Sequence, residues 1–358
     1  MKRLLVYCYF CPTESERLGG VQQIVGPLLD SLNATDDWVV SVVHRDACSA
    51  DRHYELPNSL GEARPETIDP DTAVAGGESF RELATEHDVV LSIDRILPAT
   101  VPVPCVLMSN TIGYEMQATA VRADLWSRII VPTAFHGEFV ERLNTSASVS
   151  VVPYGLPAAQ RQRGRSMNPP SWGETPVTIR LPHRPDPRKG QREAIEGLSE
   201  AMPDAAHVEL EITWFDEEES TDTYRAELER LASDLGVEDQ VSFTGWVSGA
   251  EKWDALENST CVLALGDIKE TFGLSIVEGV LCGRPVLVQE QPASREVVGE
   301  TPLLQELADP REWYKALDDY YTDRSVAELQ RTRNRLSETL LLERMVSSYD
   351  RLLLEATE

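Results

Sequence analysis

The chain has 358 residues, 42% of them hydrophobic, and its 60 acidic and 33 basic side chains leave a net charge of −27. That length exceeds what one small core needs and fits two domains of ordinary size. The charge argues against general nucleic-acid binding, which needs many cationic phosphate contacts, and no window offers the roughly eighteen uninterrupted apolar residues of a spanning helix.

In chain order, MKRLLVYCYFCP has a basic start, but its apolar run is short and lacks a small-residue cleavage site, so it predicts a buried strand and not a leader. RLLVYC, WVVSVV, DVVLSI, PCVLMS, RIIVP and SVSVVP predict the strands of a first half. Between the first two, VQQIVGPLLDSL has apolar residues at 21, 24, 25, 28 and 32, the spacing of a helix with one buried face. Residues 1–157 are read as the first domain. PAAQRQRGRSMNPPSWGETP then shows no periodicity, and residues 158–176 are read as a linker. VTIRL, HVELEITW, VSFTG, CVLAL and PVLVQ predict the strands of a second half, residues 177–335, with YRAELERLASDL a helix among them. From about Ser325 to Glu358 the chain reads as helical, with a strong apolar face in LLLERMVSSYDRLLLE. Such alternation gives parallel sheets covered by helices on both faces, hence two Rossmann-like α/β/α domains. Ligands of such domains bind at the C-terminal ends of the strands, and two domains in tandem predict a cleft where those ends meet.

The acids are spread along the chain, and only five lysines accompany 28 arginines. This predicts an acidic, halophilic surface, kept soluble in high salt where screening removes self-repulsion. Six cysteines (8, 11, 48, 105, 261, 282) lie mostly in apolar runs and predict reduced thiols and a cytoplasmic location. Cys8 and Cys11 form a lone CxxC without a second ligand pair, and Asp69-Pro-Asp71 sits in a polar loop, so no metal site is expected.

The stretch KETFGLSIVEGVLCGRPVLV comes after a predicted strand and predicts a helix from about Phe272 to Cys282-Gly283. Glu270 falls on the loop, Gly273 at the helix start and Glu278 one to two turns along. A glycine lets a ligand approach the backbone, and helix-start amides favour phosphate. Each carboxylate suits a pair of vicinal hydroxyls. Polyol, phosphate and polyol is the order of groups in a nucleotide sugar.

The run ETFGLSIVEGVLCGRPVLV, together with the later SREVV, resembles the retaining glycosyltransferases of GT-B fold in family 4, the glycosyl transferases group 1 with an E-x7-E motif. Glu270, Phe272, Gly273, Leu274, Glu278, Gly283, Pro285, Glu296 and Val297 stand where that pattern has them. HRPDPRKG resembles the family's Gly-Arg and Lys-Gly element, with Arg184 and Lys189 in place and His183 replacing the glycine. The resemblance implies that Arg184, Lys189 and Glu270 serve catalysis and that Phe272, Gly273, Leu274 and Glu278 bind the donor. It also puts Val247, in VSFTGWV, near the base. In the first domain it implies a Gly19-Gly20 loop before the first helix. Asn110 stands where many members carry a histidine. A GT-B fold further implies that residues 336–358 pack back on the first domain. The activity implied is transfer of a sugar from a nucleotide-sugar donor to an acceptor hydroxyl on a glycan, a linked lipid or a small molecule. No cofactor or metal is required, and no nucleic acid is a partner. Lipid-linked acceptors would bring peripheral contact with the inner membrane face. The alternatives are a nucleotide-sugar epimerase of related fold and a non-catalytic sugar-nucleotide-binding homologue.

Overall fold

The computed structural model describes residues 1–8, 20–44, 53–55, 70–143, 145–172, 177–214, 219–323 and 326–358. They form two compact units, Met1–Pro157 with Leu341–Glu358, and Ala158–Leu340.

The first unit is built on seven strands: β1 (Lys2–Tyr7), β2 (Trp38–His44), β3 (His53–Glu55), β4 (Val89–Ile93), β5 (Cys105–Met108), β6 (Arg128–Val131) and β7 (Ser148–Val151). Their order is β3-β2-β1-β4-β5-β6-β7, and every pairing is parallel. Its helices include α1 (Gly20–Asn33), α2 (Pro70–Thr85), α3 (Glu115–Arg122) and α4 (Ala134–Glu141). All five residues of β4 and all four of β5 are buried, as expected of central parallel strands sandwiched between helices. The spaced apolar residues of α1 fulfil the helical reading: Ile24, Val25, Leu28 and Leu32 are buried.

The second unit has six strands: β8 (Val177–Leu181), β9 (Val208–Trp214), β10 (Val241–Gly245), β11 (Cys261–Ala264), β12 (Val286–Val288) and β13 (Leu304–Glu306). Their order is β10-β9-β8-β11-β12-β13, again all parallel. Its helices are α5 (Ala158–Ser166), α6 (Gln191–Glu200), α7 (Glu219–Asp234), α8 (Gly249–Glu257), α9 (Leu274–Leu281), α10 (Pro292–Val298), α11 (Trp313–Asp323) and α12 (Val326–Thr339). Ile179, Leu210, Ile212 and Leu263 of the sheet pack with Ile195, Leu198, Trp214 and Trp313 in one core.

Two boundary expectations are corrected. The segment read as a linker begins with helix α5, and the backbone at the end of that helix and just beyond it is tied down. Arg333, 2% exposed, donates to the carbonyls of Gly164 at 2.8 Å, Arg165 at 2.7 Å and Met167 at 2.6 Å. Arg284 donates to the Asn168 carbonyl at 2.6 Å. The helix lacks apolar periodicity because the residue it buries is Gly164, whose bare backbone lets Leu281 and Trp253 approach. At the other end α12 runs to Thr339, and the chain re-enters the first unit at Leu341, not at residue 336. Leu341 is extended and bridges Leu156 in parallel before α13 (Leu342–Ala356) begins. A break inside the apolar run ETLLLE carries no turn residue to announce it.

Helix α13 buries Met345, Tyr349, Leu352 and Leu353 in the first unit. It also accepts the Trp38 indole at Asp350, 2.7 Å away, and pairs Glu355 with Arg128 at 3.1 Å. Among the described residues no helix is long and apolar enough to cross a membrane.

Candidate functional site

In the second unit, β8 and β11 are neighbours while β9 and β12 lie outward of them, so the strand order reverses between β8 and β11. In open α/β sheets that reversal is where the loops part and leave room for a ligand. The loop after β8 carries His183, Arg184 and Lys189; the loop after β11 carries Glu270.

The two loops are locked together. A Cβ on Gly190 would lie 2.6 Å from the Leu265 carbonyl carbon and 2.8 Å from the Gly266 nitrogen, and the φ of 87° at Gly190 favours glycine in its own right. Just before it, Asp186 caps a short 3-10 turn, Pro187–Lys189, by accepting the Arg188 amide at 3.0 Å. The turn aims Lys189 at the opposite loop, where its Nζ lies 2.6 Å from Glu270 Oε1, the side chains 14% and 25% exposed. Glu270 is fixed from behind: its amide donates to Gln291 Oε1 at 2.9 Å, and Gln291 Nε2 donates to the Ile268 carbonyl at 3.1 Å. Arg184, half exposed, stands 3.5 Å from Asp186.

Gly273, with φ of 75°, turns the chain into α9, and no side chain caps that helix start. Its first turn carries Ser275, whose hydroxyl lies 3.0 Å from His183 Nε2. Further along, Glu278 is buried and meets Lys252 of α8, Nζ to Oε1, at 2.5 Å. Both motif glutamates therefore face a lysine. Burial alone would raise the Glu270 carboxyl, but Lys189 and Arg184 hold it below the usual carboxylate range.

Burial, reinforced by Lys189, pulls the His183 imidazole down from 6.5 to about 4. The ring is neutral at pH 7, and in acid the unfolded chain takes up this proton first. Such a group stabilises the fold fully above about pH 6.5, and the contribution is lost as pH falls towards 4. In urea titrations His183→Asn should therefore lose about 2–3 kcal/mol less than the parent between those limits.

The other sequence-predicted residues separate into groups. Leu274 opens α9, but Phe272 is 1% exposed and belongs to the core, its carbonyl accepting the Ser294 hydroxyl at 3.3 Å. Val247 lies half-buried between β10 and α8. In the first unit Gly20 is the exposed first residue of α1, and Gly19 lies outside the described residues, as do Cys11 and Asp69. Asn110, read as a donor to sugar, is 5% exposed. Its Nδ2 donates to Asp94 Oδ2 at 3.1 Å and the Met108 carbonyl at 3.3 Å, and its Oδ1 accepts the Tyr154 hydroxyl at 2.5 Å. That engagement makes it a brace for Asp94, which has left-handed backbone (φ 54°). Burial pushes the Asp94 carboxyl up to about 6 against the hydrogen bonds from Asn110. Asp94, Gln291 and Lys252 escaped the sequence reading. Among the described residues no three His, Cys, Asp or Glu side chains converge to hold a metal ion.

Two doubly wound parallel sheets, with a paired Lys and Glu at the reversal of the second and a second Glu down the adjoining helix, define an α/β protein of GT-B type. Residues 183–323 match the family model for glycosyl transferases group 1, a stretch of the second unit that includes Arg184, Lys189, Glu270 and Glu278. A GDP-mannose-dependent alpha-(1-6)-phosphatidylinositol dimannoside mannosyltransferase of Mycobacterium tuberculosis is 27% identical over 184 residues, 51% of this chain. The chain spans 45% of that relative's length. Among solved structures, a sucrose-phosphate synthase from Thermosynechococcus elongatus is similar with a TM-score of 0.78 at 16% identity, covering 99% of both chains. Anabaena HepE in complex with UDP and glucose is similar with a TM-score of 0.76 at 15% identity, covering 99% of this chain and 100% of that one.

Proposed function

We propose that the chain is a retaining glycosyltransferase of the E-x7-E type, moving a sugar from a nucleotide-sugar donor to an acceptor hydroxyl. The observation that carries this reading is the Lys189–Glu270 pair, 2.6 Å apart at the reversal of the second sheet beside the start of α9. The diphosphate lies at the α9 start, where Lys189 and Arg184 stabilise the charge that grows as it leaves. Glu270 orients sugar hydroxyls and opposes positive charge at the anomeric carbon. The acceptor attacks on the face the diphosphate leaves, and a phosphate oxygen takes its proton, so no dedicated base is needed. The route asks for no metal. Glu278 holds the ribose. The acceptor is a glycan, a linked lipid or a small molecule; the similarity to a phosphatidylinositol mannoside mannosyltransferase supports including lipid-linked acceptors, met at the inner membrane face by a cytoplasmic enzyme.

Calorimetry with UDP, GDP and ADP, and then turnover of the matching nucleotide sugars, tests this. The expected result is micromolar binding of one nucleoside diphosphate and, with an acceptor, a product of unchanged anomeric configuration by NMR. Conversion of donor without acceptor would identify an epimerase, and an inverted product would remove the retaining assignment. Glu278→Ala should weaken donor binding by about 1.5–3 kcal/mol, the value of a hydrogen bond to a charged group. Unchanged affinity would remove Glu278 from the ribose.

A further inference from the structure

The chain uses arginine almost everywhere it needs a cation, 28 times against five lysines. Ion pairs away from the site follow that habit: Arg180 with Glu211, Arg295 with Glu306 and Arg311 with Asp309. Three of the five lysines, 189, 252 and 269, instead pair with glutamates on or beside the α9 loop and helix. A guanidinium is a broad planar fork that takes both oxygens of a carboxylate, whereas an ammonium is a compact point charge that can hold one oxygen and leave the other.

Lys252 is placed to use that difference. It sits in the first turns of α8, which is anchored by Trp253 and Leu256, 2% and 3% exposed. Its Nζ lies 5.4 Å from the Trp253 ring centroid and 2.5 Å from Glu278 Oε1. Among the described residues Glu278 Oε2 takes no hydrogen bond, although the side chain is only 5% exposed. A near-buried carboxylate held by one oxygen is a one-sided acceptor. A buried ion pair of this sort adds little to stability and is better explained by the geometry it imposes.

We propose that Lys252 is a positioning residue for the nucleotide: it clamps Oε1 of Glu278, so that Oε2 alone is offered, and the site reads one ribose hydroxyl of a ribonucleoside diphosphate and not both. This rests on the donor-site reading in which Glu278 holds the ribose. It goes beyond that reading by adding Lys252 and by replacing two-hydroxyl recognition with one.

The test is calorimetry with whichever of UDP or GDP binds the parent, together with its 2′-deoxy and 3′-deoxy forms. The parent should lose about tenfold or more in affinity for one deoxy form and less than about threefold for the other. Lys252→Met, which frees Oε1, should remove the difference between the two deoxy forms, each then losing similarly against the ribonucleotide. Lys252→Gln, polar and of similar length, is the second variant should the methionine protein not fold, and the same levelling is expected of it. Equal losses for both deoxy forms in the parent would overturn the proposal, because Glu278 would then take both hydroxyls. So would variants that lose thermal stability yet keep the parent's ratio between ligands, since that is what a merely structural lysine predicts. Failure of the parent to bind any nucleoside diphosphate would overturn the donor-site reading itself, and the proposal with it.

Discussion

Replacing Lys189 with methionine is expected to lower kcat by about 10²- to 10³-fold, the cost of removing one preorganised group that meets growing charge. Methionine keeps the unbranched stem but takes away the ammonium. It also leaves Glu270 without the cation 2.6 Å away, in a loop where both side chains are mostly covered. Two effects therefore act together: the leaving diphosphate loses a positive contact, and the carboxylate beside the anomeric carbon becomes harder to keep charged. Arg184, half exposed and 3.5 Å from Asp186, is held more loosely, and Arg184→Ala should cost less than Lys189→Met. Single-turnover rates with saturating donor separate turnover from binding. An effect on kcat below tenfold would remove Lys189 from the chemistry.

The largest effect on stability is expected at Arg333. Its guanidinium is buried and meets no carboxylate among its described partners. It donates instead to the carbonyls of Leu281, Gly164, Arg165 and Met167, at 3.1, 2.8, 2.7 and 2.6 Å. Burial lowers its pKa, yet four carbonyl dipoles converge to hold the charge. Arg333→Met fills much of the same volume but takes the guanidinium donors from the Leu281, Arg165 and Met167 carbonyls, while the Gly164 carbonyl keeps the Met167 amide. Each unmet buried acceptor costs about 1–3 kcal/mol, reduced where the backbone can relax, so a loss of about 3–5 kcal/mol is expected from urea unfolding. A loss under about 1 kcal/mol would mean that apolar contacts and the Arg161 bond to the Ser337 carbonyl hold α5 and α12 without Arg333. Because Arg333 also supports the Leu281 end of α9, donor affinity should fall with stability.

Most of the sheet architecture was legible because parallel strands buried on both faces are written as apolar runs of strand length such as DVVLSI and CVLAL, too short for a typical helix. Strands β3 and β13 were missed because HYE and LQE are three residues long and largely polar. Helix α5 was missed because its packing surface is a glycine and its attachment is made by an arginine far along the chain. Glu270 and Lys189 were read as site candidates because a carboxylate or cation on a loop at a strand end has a chemical reason to be there, and Glu278 because it holds the second glutamate position of the motif. Gln291 could not be read: a glutamine before Pro292 carries no local signal, and only the fold shows it holding the Glu270 amide. The partners of Asn110 could not be read either, because Asp94 and Tyr154 are distant from it in sequence.

The return of α13 to the first unit has a consequence for how the protein is made. Residues 158–340 are one uninterrupted stretch and can close on themselves as soon as they leave the ribosome. The first unit cannot. Its seven strands emerge early, but Trp38 and α1 stay uncovered until the final helix arrives, after an entire second unit has been synthesised. Nascent chains stalled before Leu341 should present a sticky, unroofed sheet, the kind of intermediate that holding chaperones capture.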